Sequence, residues 1–287
     1  MTDAKLFDVP GPVDIMWCPG CGNFPILEAV KKALAELDLK PQEVLICSGI
    51  GQAAKLNHYI NTHFLHGLHG RSISNATGAK VANPKLVVLD AGGDGDRYAE
   101  GGNHIIHTIR RNPDITALVH DNKVYGLTKG QASPTSPQGY ISPTTPKGVT
   151  STPLNPIAMA VALDASFVAQ CFAGDVEDTK EILKKAIAHK GFSLVNILQP
   201  CVTFNKINTY QWFKEHTYYL GDDYDPTNRI AALEKAFDTD KVPLGVIYIK
   251  HKPTFEETLP AYRHSKSPLY EREVDWDKLS EIMKNFI

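Results

Sequence analysis

Apolar residues recur along this chain in two alternating rhythms. Short, nearly continuous apolar runs fall at 43–47, 85–90, 115–120, 167–172 and 193–199. Such runs suit strands buried on both faces of a parallel sheet. Between them lie stretches with apolar positions at helical spacing. In 24–37 these are Ile26, Leu27, Val30, Ala33, Leu34 and Leu37, with Asn23 placed to cap the first turn. Further helices are predicted at 73–81, 102–111, 157–163 and 177–189. Strands and helices alternate, and glycine-rich turns follow the strands. The expected fold is therefore α/β, a parallel sheet with helices on both faces.

Two stretches break the rhythm. Residues 126–153 carry Pro134, Pro137, Pro143, Pro146 and Pro153 among many Ser, Thr and Gly, and predict a long ordered loop or lid over a site. After Cys201 the alternation fades: 202–240 is rich in aromatics (Phe204, Tyr210, Trp212, Phe213), and only 244–250 reads as a strand. The expected organisation is one α/β domain over 1–201 and an extension over 202–287. That extension would wrap the site, form an interface, or pack its aromatics into a small subcore.

Composition then excludes several classes. A chain of 287 residues can bury a sizeable core. Net charge is -2 and the pI near 6.6, so charge offers no case for nucleic acid or an anionic membrane surface. No apolar run is long enough to span a bilayer, and the start, Met1-Thr2-Asp3-Ala4-Lys5, lacks the apolar segment of a secretory signal. The cysteines number five, an odd count that argues against a secreted disulfide framework. A reducing, cytoplasmic setting is expected.

Candidate chemistry gathers at strand ends. The run at 85–90 ends in Asp90-Ala91-Gly92-Gly93 and leads into Asp94-Gly95-Asp96; the run at 115–120 ends in Asp121-Asn122. Glycines there let backbone approach a ligand, at the edge where open α/β sheets bind ligands. Asp94 and Asn122 would lie side by side, and a carboxylate, an amide oxygen and a nearby carbonyl are hard ligands suited to magnesium holding a diphosphate. Alternatively, Gly-Asp-Gly is a plain turn and Asn122 a helix cap. Neither a dinucleotide fingerprint nor a P-loop is present.

Cys18-Pro19-Gly20-Cys21 can bind zinc, hold an iron–sulfur cluster or form a redox disulfide. Trp17 gives it a faint thioredoxin flavour, but Pro10, Gly11 and Pro12 stand where a strand would lead in. Cys47 and Cys201 end predicted strands at the same sheet edge, which suggests four thiolates around one cluster. The alternative keeps both as core thiols, with zinc on the pair. Cys171 reads as a buried filler.

The string from Asp121-Asn122-Lys123-Val124-Tyr125-Gly126-Leu127 to Thr135, with Gly-Asp-Gly before it, resembles the beta subunit of 2-oxoacid:ferredoxin oxidoreductases over about 13–201. The resemblance implies magnesium on Asp94, Asn122 and the Val124 carbonyl, and thiamine diphosphate against Gly95, Asp96, Gly126 and Leu127. It also implies cofactor contacts from Ile46, Cys47, Ser48 and Gly49, and from Gly67, Leu68, His69 and Gly70. It assigns a [4Fe–4S] cluster to Cys18, Cys21, Cys47 and Cys201. His69 and Lys129 are the candidate catalytic side chains, His69 toward phosphate or substrate and Lys129 toward a substrate carboxylate. The implied reaction is CoA-dependent oxidative decarboxylation of a 2-oxoacid (2-oxoglutarate, pyruvate or a broad range), with electrons passed to ferredoxin. The other half of the thiamine site, with its activating glutamate, would come from an alpha subunit. Two competing expectations are a non-redox thiamine lyase or synthase subunit with structural zinc, and a non-enzymatic zinc-binding interaction module in which the glycine motifs are turns.

Overall fold

The computed structural model describes residues 2–238, 241–263 and 265–286. Ten strands occur among them: β1 (Val44–Ser48), β2 (His63–His66), β3 (Val87–Gly93), β4 (Thr116–Asp121), β5 (Val124–Tyr125), β6 (Gln131–Ala132), β7 (Phe167–Phe172), β8 (Ser193–Leu198), β9 (Thr217–Tyr219) and β10 (Val242–Ile249). The longer helices are α1 (Asn23–Glu36), α2 (Ser72–Ala82), α3 (Gly102–Arg111), α4 (Pro156–Ala162), α5 (Val176–Ala188), α6 (Tyr210–His216), α7 (Arg229–Ala236) and α8 (Trp276–Lys284). Eight strands form one sheet in the order β2-β1-β3-β4-β8-β7-β10-β9. The run from β2 to β7 is parallel, and β10 lies antiparallel against β7.

Every apolar run read as a strand is one, and the five expected helices form within a residue or two of their expected bounds. The short edge strand β2 has no counterpart among the expected strands: its apolar run is only Phe64-Leu65, and all four of its residues are exposed. Strands β9 and β10, from beyond Cys201, continue the same sheet.

Side-chain alternation along each strand divides the core into two layers. Ile46, Leu89, Leu118 and Val195 point into the layer shared with α1 and α5. Their neighbours Cys47, Val88, Ala117 and Leu194 point into the opposite layer, with Ile73 of α2 and Ile105 and Ile109 of α3. Ile26 and Leu34 of α1 are fully buried, and burial of such side chains contributes about 1.5–3 kcal/mol each. Asp175 caps α5 by accepting from the Asp178 N–H, and Asn112 ends α3 in the left-handed conformation at φ 60°. The layering matters for the site, because it decides which side of the sheet each strand-end residue can reach.

Candidate active site

The carboxyl ends of β1, β3 and β4 open into one cavity. Ile50, Gly51, Gln52 and Ala53 line it from beyond β1, Gly93 to Asp96 from the end of β3, and Asn122 and Val124 to Thr128 from beyond β4. His69 and Glu100 complete it. Close backbone approach requires glycine here: a Cβ on Gly95 would collide with the Tyr125 ring, and one on Gly92 would meet the Arg97 guanidinium. The Tyr125 hydroxyl donates to Glu100 Oε1 at 3.1 Å, closing one side of the cavity.

Asp94 is 1 % exposed. Its Oδ2 accepts from the hydroxyls of Ser133 and Thr135. Thr135 Oγ1 also lies 2.8 Å from Asp121 Oδ1, so one hydroxyl proton serves two buried carboxylates. Burial, and next the neighbouring Asp121 charge, push Asp94 up to about 7. A divalent cation at this position would relieve both effects. Asn122 Oδ1 accepts from the Val124 N–H at 3.0 Å, which fixes the turn that presents the Val124 carbonyl and Gly126.

Beneath the cavity lies a buried charged cluster. Arg97, fully buried, pairs through Nε with Asp90 Oδ2 at 2.7 Å and through Nη1 with Asp96. Ser72 Oγ donates to Asp90 Oδ1 at 2.6 Å and accepts from Arg97 Nη2 at 2.7 Å. The other oxygen of Asp96 accepts from the N–H groups of Ile50 at 3.1 Å and Gly70 at 2.8 Å. Asp96 therefore ties the loop after β1 to the loop after β2. Its carboxylate is committed to the protein, so it can face a diphosphate only through backbone.

A second cavity adjoins the first and is lined by Cys18, Cys21 and Cys201, with Gln52, Asn122 and Gly126 shared between the two. Burial raises the Cys21 thiol to about 11, and Cys201 and Cys18 act in the same direction. Gln199 Nε2 donates to Cys21 Sγ at 3.4 Å. Val202, Thr203 and Phe204 form part of the wall, and the Tyr210 hydroxyl donates to the Gly20 carbonyl at 3.3 Å. As placed, the three thiols share walls without converging: among the described residues no three His, Cys, Asp or Glu side chains form a metal-ligand group.

Several expected site residues lie elsewhere. Cys47 does not join the other cysteines; it is fully buried in the layer of α2 and α3, while Cys21 packs against the layer of α1. Strand alternation is the reason. Burial, with Asp90 next, raises the Cys47 thiol to about 12. Ile46, Ser48 and Gly49 do not line the cavity either; the next four residues do. Ser48 bonds instead to Asn57 and His66. Of the loop at 67–70, only His69 lines the cavity. Gly67 donates its N–H to the Ser48 carbonyl at 2.8 Å, Leu68 is 74 % exposed, and Gly70 is packed against Glu100 backbone. Lys129 is exposed in the turn of the β5–β6 hairpin at φ 76°, outside the cavity.

Sequence reasoning missed Gln52, Asp121, Ser133, Thr135, Tyr125 and Glu100. Tyr125, Ser133 and Thr135 lie inside the string that carries the family resemblance but have no chemistry singled out by it, and Glu100 carries no motif. Asp121 precedes Asn122 and could have been flagged from its strand-end position; Gln52 could have been flagged as the polar residue in Ser48-Gly49-Ile50-Gly51-Gln52.

The class of protein follows from this edge of the sheet. Residues 47–197 match the model of the thiamine pyrophosphate enzyme C-terminal TPP-binding domain, and 201–264 match that of the C-terminal part of the pyruvate ferredoxin oxidoreductase beta chain. The 2-oxoacid:ferredoxin oxidoreductase 1 subunit beta of Aeropyrum pernix is 44% identical over 94% of this chain and 93% of its own. The 2-oxoglutarate oxidoreductase subunit KorB of Mycobacterium tuberculosis is 41% identical over 69% of this chain and 53% of its own. A solved 2-oxoglutarate:ferredoxin oxidoreductase from Magnetococcus marinus, with 2-oxoglutarate, coenzyme A and succinyl-CoA bound, superimposes with a TM-score of 0.91 at 38% identity, covering 99% of this chain and 95% of that one. The chain belongs to the beta subunits of the 2-oxoacid:ferredoxin oxidoreductases, and is thus one subunit of a multisubunit oxidoreductase. Among the described residues no helix is long and apolar enough to cross a membrane.

Proposed function

We propose that this chain, joined to an alpha-type subunit, catalyses the CoA-dependent oxidative decarboxylation of a 2-oxoacid, either 2-oxoglutarate or a broader range that includes pyruvate. The 2-oxoacid and CoA thiol become an acyl-CoA, carbon dioxide and a proton. Two electrons leave singly to two molecules of oxidised ferredoxin.

The buried Asp94 at the cavity floor, set beside the buried Asp121 carboxylate, carries this reading. With the Asn122 amide oxygen and the Val124 carbonyl it makes a hard-oxygen donor set that fits Mg2+, which would keep diphosphate oxygens as further ligands. Thiamine diphosphate supplies the electron sink for decarboxylation when bound. The residues of this chain hold it. Gly95 and Gly126 admit it closely, Tyr125 and Glu100 wall one side, and Asp96 fixes the two loops that close around it. His69 stands at the exposed rim, where an imidazole can hold or move a proton next to substrate.

Cys18, Cys21 and Cys201 suit an iron–sulfur group through their softness and position, whereas the four-cysteine set with Cys47 does not fit. Such a group supplies one-electron chemistry when bound. The beta chain alone is expected to be inactive, since it contributes one face of the cofactor site.

The test is anaerobic co-purification with the alpha subunit, followed by assays for iron, acid-labile sulfide and thiamine, and then 2-oxoacid- and CoA-dependent reduction of a viologen or ferredoxin. Iron with sulfide, thiamine and CoA-dependent reduction are the expected results. Zinc in place of iron, with no reduction, would contradict the proposal and favour a non-redox thiamine enzyme.

A further inference from the structure

The cavity that holds Cys18, Cys21 and Cys201 has a fourth wall, and that wall is Gln52. Trp17, next to Cys18, donates from Nε1 to the Gln52 carbonyl at 2.8 Å and so fixes the loop after β1 against the loop carrying the cysteine pair. The Gln52 Oε1 atom is buried and has no hydrogen-bond partner. Two further buried polar atoms from the same walls lack partners: Gln199 Oε1 and Asn23 Nδ2. Gln199 and Asn23 are each 1 % exposed. Unpaired amide atoms at this depth are costly, and their grouping around three thiols marks a place built for a polar occupant.

We infer that this chain binds its iron–sulfur cluster through three cysteine thiolates, Cys18, Cys21 and Cys201, with the Gln52 amide at the fourth corner in place of Cys47. This rests on the proposed function, which needs a one-electron carrier beside the thiamine site. Cys18, Cys21 and Cys201 lie outside the strands and line one cavity. Bringing Cys47 there would require turning β1 over, which would also move Ile46 out of the opposite core layer. One iron is then left without a protein thiolate. A neutral amide beside it places one less negative charge at the cluster than a fourth thiolate would. The reduced form is accordingly easier to reach, and the unanchored iron is the one most readily lost on oxidation.

The experiment uses the anaerobically purified alpha–beta enzyme. Wild type, Cys47→Ala, Gln52→Cys and Cys18→Ala are compared by iron and sulfide content, electron paramagnetic resonance after mild oxidation, and redox titration. The inference expects Cys47→Ala to keep the iron content and spectrum of wild type, and Cys18→Ala to lose iron. Wild type should give the signal of a three-iron cluster on mild oxidation. Gln52→Cys should suppress that signal and lower the midpoint potential. Loss of iron in folded Cys47→Ala would overturn it, as would a Gln52→Cys enzyme with unchanged signal and potential. The second variant leaves the core untouched, so it decides the matter if Cys47→Ala fails to fold. Wild type that holds no iron would instead refute the proposed function, and this inference with it.

Discussion

Thr135 Oγ1 lies 2.6 Å from Asp94 Oδ2, and reaches it from the loop that follows the β5–β6 hairpin. The proline-rich segment is thus a structural part of the candidate metal site. Replacing Thr135 with Val removes the donor and leaves two buried carboxylates to share less. It should cost about 1–3 kcal/mol of stability and weaken metal-dependent cofactor binding. Thr135→Ser should restore both, as read by urea unfolding and by calorimetric titration with thiamine diphosphate and Mg2+.

Arg97 is a second point where stability and site coincide. It holds Asp90 and Asp96 from a fully buried position. Arg97→Met should destabilise the chain by about 3–5 kcal/mol, because two carboxylates lose their counter-charge in the interior. Adding Asp90→Asn should recover part of that loss. Equal unfolding midpoints for the single and double variants would show that the pair is not coupled.

The loop clamp through Asp96 can be probed at glycine. Gly70 has φ +64°, and a Cβ there would run into the backbone of Glu100 and Gly101. Gly70→Ala should destabilise by more than about 1 kcal/mol and lower cofactor affinity. Gly102, at the start of α3, has open space around its Cβ position. Gly102→Ala should be neutral or slightly stabilising, and serves as the control in thermal melts.

Much of this was legible in the sequence. Ile46, Leu89, Leu118 and Val195 announce buried strands because parallel strands in a covered sheet are apolar on both faces. Gly93 to Asp96 and Asn122 announce a ligand edge because glycine and hard oxygen donors follow those strands. What could not be read was which side of the sheet each strand-end residue faces. Cys47 ends an apolar run at the correct edge, yet a one-residue alternation sends its thiol into the wrong layer. Gln52, five residues later and past the strand, reaches the cysteines instead. Ser133 and Thr135 were hidden for another reason. Their contact with Asp94 depends on the path of an irregular loop, which no periodicity encodes. β2 escaped notice because its apolar run is only the pair Phe64-Leu65, too short to announce a strand.

Acid should destabilise the chain through His189. It is buried, its Nε2 has no hydrogen-bond partner, and burial with the nearby His251 hold its pKa down to about 4. A histidine depressed in the folded state takes up a proton more readily when unfolded. Its contribution is therefore complete above about pH 6.5, the unfolded value, and is lost as pH falls toward the folded one. Melting temperature should drop across that window, and His189→Gln should flatten the drop. Parallel curves for the two proteins would assign the acid sensitivity to other groups.

The most direct test of the account is calorimetric titration of thiamine diphosphate into the alpha–beta enzyme stripped of cofactor, with and without Mg2+, for wild type and Asp94→Ala. Binding that requires Mg2+ and disappears in Asp94→Ala, while iron content stays at the wild-type level, is the predicted result. Unchanged affinity in Asp94→Ala, or binding indifferent to Mg2+, would contradict the assignment of this sheet edge as the metal–diphosphate site.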